Sequence, residues 1–233
     1  MDTVRGRVPD VDVRIPRRRV AFGRRDATAE GYERATAVAE AFGFDPVERS
    51  VGGRAVAHTG RTLSFAVTLP SSAPRSGIGA RYETATRAVL DALRGLGAEV
   101  QAGEPDAAFC PGDHSVRVAD DGKIAGIAQR VRTDSAVVAG CVVVSSVDAD
   151  EIAAVLDPVY RALDVPFDPA SVGSVSAAGG PDDPGRVGRA LRDALAGASW
   201  PDADLRDHPE AAERRDNAPK SRGETTKPGD RQR

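Results

Sequence analysis

The sequence predicts an α/β fold. Short apolar runs of strand length alternate along the chain with stretches whose apolar residues recur at helical spacing, and the two patterns are interleaved rather than grouped in blocks. With 40% of its 233 residues hydrophobic, the chain can build the core of one compact domain or of two small ones.

Each element follows from its residues. Residues 1–16 hold Pro9 and Pro16 with little periodicity and are expected to be irregular. Residues 19–22 read as a strand. Tyr32, Ala35, Val38, Ala39 and Phe42 recur at helical spacing, with Gly43 as a C-terminal stop. Leu63, Phe65, Val67 and Leu69 alternate with smaller or polar residues, which predicts a strand with one buried face before a turn at 70–74. Ile78, Tyr82, Ala85, Val89, Leu93 and Leu96 form the apolar stripe of a long helix ended by Gly95 and Gly97. Residues 115–119 and 123–132 flank Asp120-Asp121-Gly122, the signal of a tight hairpin, so Lys123 begins a strand. Residues 136–147 are almost wholly apolar and β-branched, as expected of a central strand covered on both faces. Ile152, Val155, Leu156, Val159 and Leu163 mark a helix whose start carries Asp148, Asp150 and Glu151, charges that suit a helix N-terminus. A Pro- and Gly-rich stretch, 165–185, leads to a last short helix at 187–195. From residue 201 onward there are sixteen charges, eight of each sign, and one large aliphatic residue, Leu205, so 201–233 is expected to be a disordered tail. The remaining residues, 17–200, are expected to form the functional domain.

Composition narrows the function. A net charge of −3 lacks the basic excess of a nucleic-acid coat, and the clusters Arg17-Arg18-Arg19 and Arg24-Arg25 read as solvated faces or anion contacts. No apolar run approaches the roughly 18 residues of a membrane span, so the expectation is a cytoplasmic protein that binds neither nucleic acid nor membrane. The two cysteines are too few for a disulfide framework, and the three histidines have no metal-ligand spacing, so no metal is expected. Of 32 basic residues, 29 are Arg, and Lys123 is the only Lys before the tail. An amine kept where every other cation is a guanidinium suggests a role in which the proton is exchanged or the amine itself acts.

Three segments depart from the alternation. Arg49-Ser-Val-Gly-Gly-Arg-Ala-Val-Ala-His58 sets paired glycines between strand-like runs, where backbone can approach a ligand. Phe109-Cys110-Pro-Gly-Asp-His114 places a thiol near a possible base. Asp121-Gly-Lys-Ile-Ala-Gly-Ile-Ala-Gln-Arg130 carries the lone lysine ahead of Ala125, Gly126 and Ala128, whose small side chains leave room beside the backbone. Cys141, within the apolar run, reads as a buried core thiol.

In this order and at these separations the segments resemble the catalytic domain of lipoate-protein ligases and octanoyltransferases, a branch of the biotin and lipoate ligase superfamily. Val20-Ala-Phe-Gly-Arg24 is similar to the end of the family's first strand, residues 48–58 to its glycine loop, and 109–116 to its Cys-Phe block. Gly122-Lys-Ile-Ala-Gly-Ile-Ala-Gln129 is the strongest match, and the resemblance spans residues 17–165. The departures are Glu48, Val51, Ala57, Thr59 and Ala139, together with the absence of a helix before the first strand.

The resemblance implies a biotin/lipoate ligase-like domain with a mixed sheet and packed helices. It implies Lys123 and Cys110 as catalytic residues, with an acyl-thioester on Cys110. Substrate binding then falls to Arg49, Gly52, Gly53, Arg54, Ala55, His58, Gly126, Ile127, Ala128 and Gly140, with backbone N–H groups of 126–128 near the acyl oxygen. The implied donor is octanoyl-acyl carrier protein, or free lipoate or octanoate. The acceptor is a lysine on a lipoyl domain of a 2-oxoacid dehydrogenase or on the glycine cleavage H protein. The transferase reading needs no cofactor. An ATP- and Mg-dependent lipoate-protein ligase and an inactive acyl binder are the alternatives.

Overall fold

The computed structural model describes residues 9–49, 52–118 and 122–201. Its larger sheet contains β1 (Asp10–Arg14), β5 (Leu63–Pro70), β6 (Val100–Ala102), β7 (Ser115–Val118), β8 (Lys123–Val131) and β9 (Ser135–Val142), in the order β1-β5-β9-β8-β7-β6. Every pairing in it is antiparallel. The smaller sheet, in the order β3-β2-β4, joins β2 (Arg19–Phe22) in parallel to β3 (Asp45–Glu48) and antiparallel to β4 (Val56–His58). The mixed pairing expected of the fold therefore resides in the small sheet alone.

Helices cover one face of each sheet. β5 alternates as its sequence predicts, with Leu63, Phe65, Val67 and Leu69 buried and Ser64, Ala66 and Thr68 half-buried. The buried face packs with Val89 and Leu93 of α3 (Ile78–Gly95), with Leu191 and Leu195 of α5 (Pro184–Gly197), and with Trp200. A second core joins Val20, Phe22 and Val56 of the small sheet to Ala35 and Ala39 of α2 (Tyr32–Ala41) and to Ile152, Val155 and Val159 of α4 (Ser146–Ala162). Each large aliphatic or aromatic side chain removed from water contributes about 1.5–3 kcal/mol, so these cores hold the uncovered faces of the sheets in place. A short helix, α1 (Arg24–Ala27), follows β2, and its buried Asp26 accepts a hydrogen bond from the Gly23 N–H.

Two expectations need correction. Asp10–Arg14, inside the segment expected to be irregular, is an edge strand with Val13 buried. Its alternate residues Asp10, Asp12 and Arg14 are charged and prolines bracket it, so its apolar signal is too thin to read. β9 is central but is covered on one face only: Ala136, Val138 and Val142 are buried, whereas Val137, Ala139 and Cys141 are half-buried. The open face looks into a cavity. Gly140 makes this packing possible, because a Cβ there would lie 2.4 Å from Phe65 Cζ. The expected hairpin joins β7 to β8, with Val118 N–H donating to Gly122 O at 3.0 Å, while Asp120 and Asp121 lie outside the described residues. The expected tail from 202 onward also lies outside them.

Candidate active site

The uncovered faces of the two sheets bound a cavity of about 570 Å³. The larger sheet contributes Ser64, Ala66, Gly126, Ala128, Ala139 and Cys141, and the smaller contributes Arg19, Ala21, Val47, Val56 and His58. Small side chains on the large-sheet wall keep the space open.

Lys123 and Cys110 line it together. Lys123 is fully buried, and its Nζ donates to Glu104 (2.9 and 3.1 Å to the two carboxylate oxygens), to Phe109 O at 3.0 Å and to Cys110 O at 2.8 Å. These three acceptors match the three hydrogens of an ammonium. Nζ also lies 5.2 Å from the centroid of the Phe109 ring. Cys110 adopts φ +44°, a left-handed conformation that costs a non-glycine residue about 1–2 kcal/mol. Its neighbours hold it there: the Cys110 N–H donates to the Tyr160 hydroxyl at 2.6 Å, that hydroxyl donates to Ala55 O at 2.9 Å, and Lys123 takes the Cys110 carbonyl. The thiol itself receives Arg49 Nη2 at 3.2 Å, and the same Nη2 donates to Arg54 O at 2.6 Å. Burial raises the pKa of the Tyr160 hydroxyl and of the Cys141 thiol, keeping both protonated.

The glycine loop meets the thiol. Gly53 has φ +107°, and a Cβ on it would lie 2.5 Å from Cys110 Sγ and 2.7 Å from Arg49 Nη2. Gly53→Ala is therefore expected to destabilise the fold by about 1–2 kcal/mol and to displace the sulfur. Urea unfolding and the rate of Cys110 alkylation by iodoacetamide check both effects, and an unchanged alkylation rate would contradict the second.

His58 lies directly across from Arg19 in the β2–β4 pair, and its Nδ1 hydrogen-bonds to Thr62 Oγ1 at 3.1 Å. Burial first, then the nearby Arg19, Arg49 and Arg14 charges, lower its pKa from 6.5 to about 3. The folded protein thus keeps this imidazole neutral. Unfolding restores the ordinary value, so between pH 6.5 and about 3 the unfolded chain binds a proton that the folded one does not. Stability from this group is whole above pH 6.5 and falls as the pH drops through that window. His58→Gln should flatten the pH dependence of urea unfolding between pH 6.5 and 4.5, and parallel curves for the two proteins would refute this.

Of the residues expected at the site, Lys123, Cys110, Arg49, Gly52, Gly53, His58, Gly126, Ile127, Ala128 and Gly140 line the cavity. Arg54 and Ala55 do not: Arg54 pairs with Asp26 at 2.9 Å, and Ala55 is fully buried, so they serve through their carbonyls. The Ile127 N–H donates to His114 O at 3.0 Å and is not free to hold an acyl oxygen as expected. The His114 ring stacks on Tyr82, with centroids 3.9 Å apart, and Arg49 takes the place at the thiol expected of a base. Cys141, expected in the core, lines the cavity. Glu104, Tyr160, Arg14 and Arg19 were missed. Glu104 and Tyr160 lie in no motif, and their partners are distant in sequence. Arg19 was legible only as part of a basic cluster, and Arg14 was in no cluster or motif. Among the described residues no group of three or more His, Cys, Asp or Glu side chains could hold a metal ion, and no helix is long and apolar enough to cross a membrane.

This two-sheet architecture is the fold of lipoate-protein ligase catalytic domains. Lipoate-protein ligase A bound with ATP superposes with a TM-score of 0.64 at 24% identity, covering 82% of this chain and 72% of that one. The bipartite lipoate protein ligase of Thermoplasma acidophilum, solved in a study of its lipoylation system with an E2 lipoyl domain, gives 0.61 at 20% identity, over 82% and 71%. Residues 16–182 match the lipoyl protein ligase A/B catalytic domain, and the chain belongs to that family. It is also 34% identical over 115 residues to the octanoyl-[GcvH]:protein N-octanoyltransferase of Exiguobacterium sibiricum, a match that spans 48% of this chain and 40% of that protein.

Proposed function

We propose that this protein is an acyltransferase of protein lipoylation, moving an octanoyl or lipoyl group to a lysine of a lipoyl domain through a thioester on Cys110. The observation that carries this reading is the Cys110 thiol held in a left-handed backbone against Arg49, with Lys123 Nζ on the Cys110 carbonyl, both lining the cavity between the sheets. In the first step the Cys110 sulfur attacks the donor carbonyl, a C–S bond to Cys110 forms as the carbonyl's bond to the donor's sulfur or nitrogen breaks, and the thiol's proton leaves on that donor atom. Arg49 supplies the counter-charge for the sulfur, and the Lys123 ammonium is a charge near the acyl oxygen as it becomes negative. In the second step the acceptor amine attacks the thioester, the C–S bond breaks as the amide forms, and the amine's proton passes to the departing sulfur, with Lys123 as the acid/base group that hands it over.

The octanoyltransferase of Exiguobacterium, by its name, takes octanoyl from GcvH, so an octanoylated H protein joins octanoyl-acyl carrier protein as a donor to test. The full chain incubated with each donor, without ATP, should gain the mass of one octanoyl group, and hydroxylamine should remove it. No gain from any donor would overturn the thioester reading. Acyl transfer that then appears only with lipoate and Mg-ATP would assign the protein as a ligase, and no transfer under either condition would assign it as a binder.

A further inference from the structure

We infer that the Tyr160 hydroxyl is a positioning group for the proposed nucleophile: it ties the loop that carries Cys110 to the glycine loop and so keeps the sulfur against Arg49. This rests on the reading in which Cys110 takes up the acyl group.

The backbone at Cys110 needs such a tie. Its φ of +44° is a left-handed conformation, and Pro111 follows it, a neighbour that pushes the preceding residue towards extended backbone. Released, the chain would relax to negative φ and swing the sulfur away from its present contacts. Cys110 is held at three atoms instead. Its N–H donates to the Tyr160 hydroxyl at 2.6 Å, its carbonyl accepts from Lys123 Nζ at 2.8 Å, and its sulfur accepts from Arg49 Nη2 at 3.2 Å.

Two of these ties end on consecutive carbonyls of the glycine loop. Arg49 Nη2 donates to Arg54 O at 2.6 Å, and the Tyr160 hydroxyl donates to Ala55 O at 2.9 Å. One segment thereby sets both the thiol's backbone and the guanidinium that meets its sulfur. The link crosses the fold, because Tyr160 stands in the last turn of α4, 50 residues from Cys110 and 105 from Ala55.

Packing alone does not explain the hydroxyl. Tyr160 is fully buried in the second core, and its ring lies against Phe167 with centroids 5.0 Å apart. Phenylalanine would fill that space without taking a polar group out of water, a step that is costly unless the group is hydrogen-bonded. The hydroxyl gives one proton and receives another, and both partners are backbone groups of the two site loops.

The test compares wild-type full chain with Tyr160→Phe, Arg49→Gln, their double variant, and Val155→Ala, which opens the same core without removing a hydrogen bond. With octanoyl-acyl carrier protein or octanoylated H protein as donor, Tyr160→Phe should lower the saturating rate of Cys110 acylation by about ten- to a hundredfold and leave the half-saturating donor concentration within about twofold. Val155→Ala should lose stability to urea and keep its saturating rate within about twofold. Iodoacetamide reads the thiol without a donor. Arg49→Gln should lower the alkylation rate at least about fivefold in the wild type and less than about twofold in Tyr160→Phe, where sulfur and guanidinium have already parted. An unchanged saturating rate in Tyr160→Phe, an equal loss in Val155→Ala, or an Arg49→Gln effect of the same size in both backgrounds would overturn the positioning role and leave the proposed transfer standing. If the wild type takes up no acyl group from either donor, the transfer reading falls and the alkylation cycle alone decides the positioning. Should Tyr160→Phe not fold, Phe167→Leu, which loosens the ring and keeps the hydroxyl, replaces it in the same cycle with the same outcomes.

Discussion

Cys110→Ser should abolish the hydroxylamine-labile acyl adduct and lower transfer to a lipoyl domain by at least about 10³-fold, the scale seen when a covalent nucleophile is removed. The serine oxygen would stand in the same left-handed backbone, with Tyr160 and Lys123 still holding the peptide, so the fold should be kept. What changes is the nucleophile, because an alcohol is far less ionised than a thiol near neutral pH. Intact-mass spectrometry reads the adduct and a gel-shift assay of the lipoyl domain reads the transfer. Normal turnover by the serine variant would exclude a thioester and move the assignment to the ATP-dependent ligase.

Lys123→Met should be nearly as severe and, unlike the serine variant, should also destabilise the fold. The substitution strips three acceptors of their donor: the Glu104 carboxylate and the carbonyls of Phe109 and Cys110. Leaving them unpaired should cost about 2–4 kcal/mol, tempered because the Glu104 side chain is 22% exposed. Transfer should fall by about 10³-fold, since the variant loses both the charge near the acyl oxygen and the grip on the thiol's backbone. Adding Glu104→Gln to Lys123→Met should recover part of the stability and none of the activity. Recovery of activity in the double variant, or normal transfer by Lys123→Arg, would refute a chemical role for the amine.

The wall strands and helices were legible where burial is one-sided. Leu63, Phe65, Val67 and Leu69 alternate because β5 has a helix-covered face and a cavity face, and the α3 stripe faces the sheet. β1 escaped notice because an edge strand with one buried valine has almost no apolar signal. β9 misled for the opposite reason, since its cavity face is lined by Val137, Ala139 and Cys141, which read as core.

The sequence by itself determined the α/β alternation, the family resemblance, and the lysine, the cysteine and the glycine loop as the candidate chemistry. Each of these is written in local spacing or in residue type. Only the tertiary structure decided what those groups touch. Glu104 reaches Lys123 from nineteen positions away and Tyr160 reaches Cys110 from fifty, while His114 turns to Tyr82 and leaves the thiol to Arg49. Arg19, from a basic cluster in the sequence, and Arg14, from outside it, lie on opposite walls of one cavity. Hydrogen bonds and charge pairing act over a few ångströms of space, and which residues come that close is set by strand register and helix packing, not by distance along the chain.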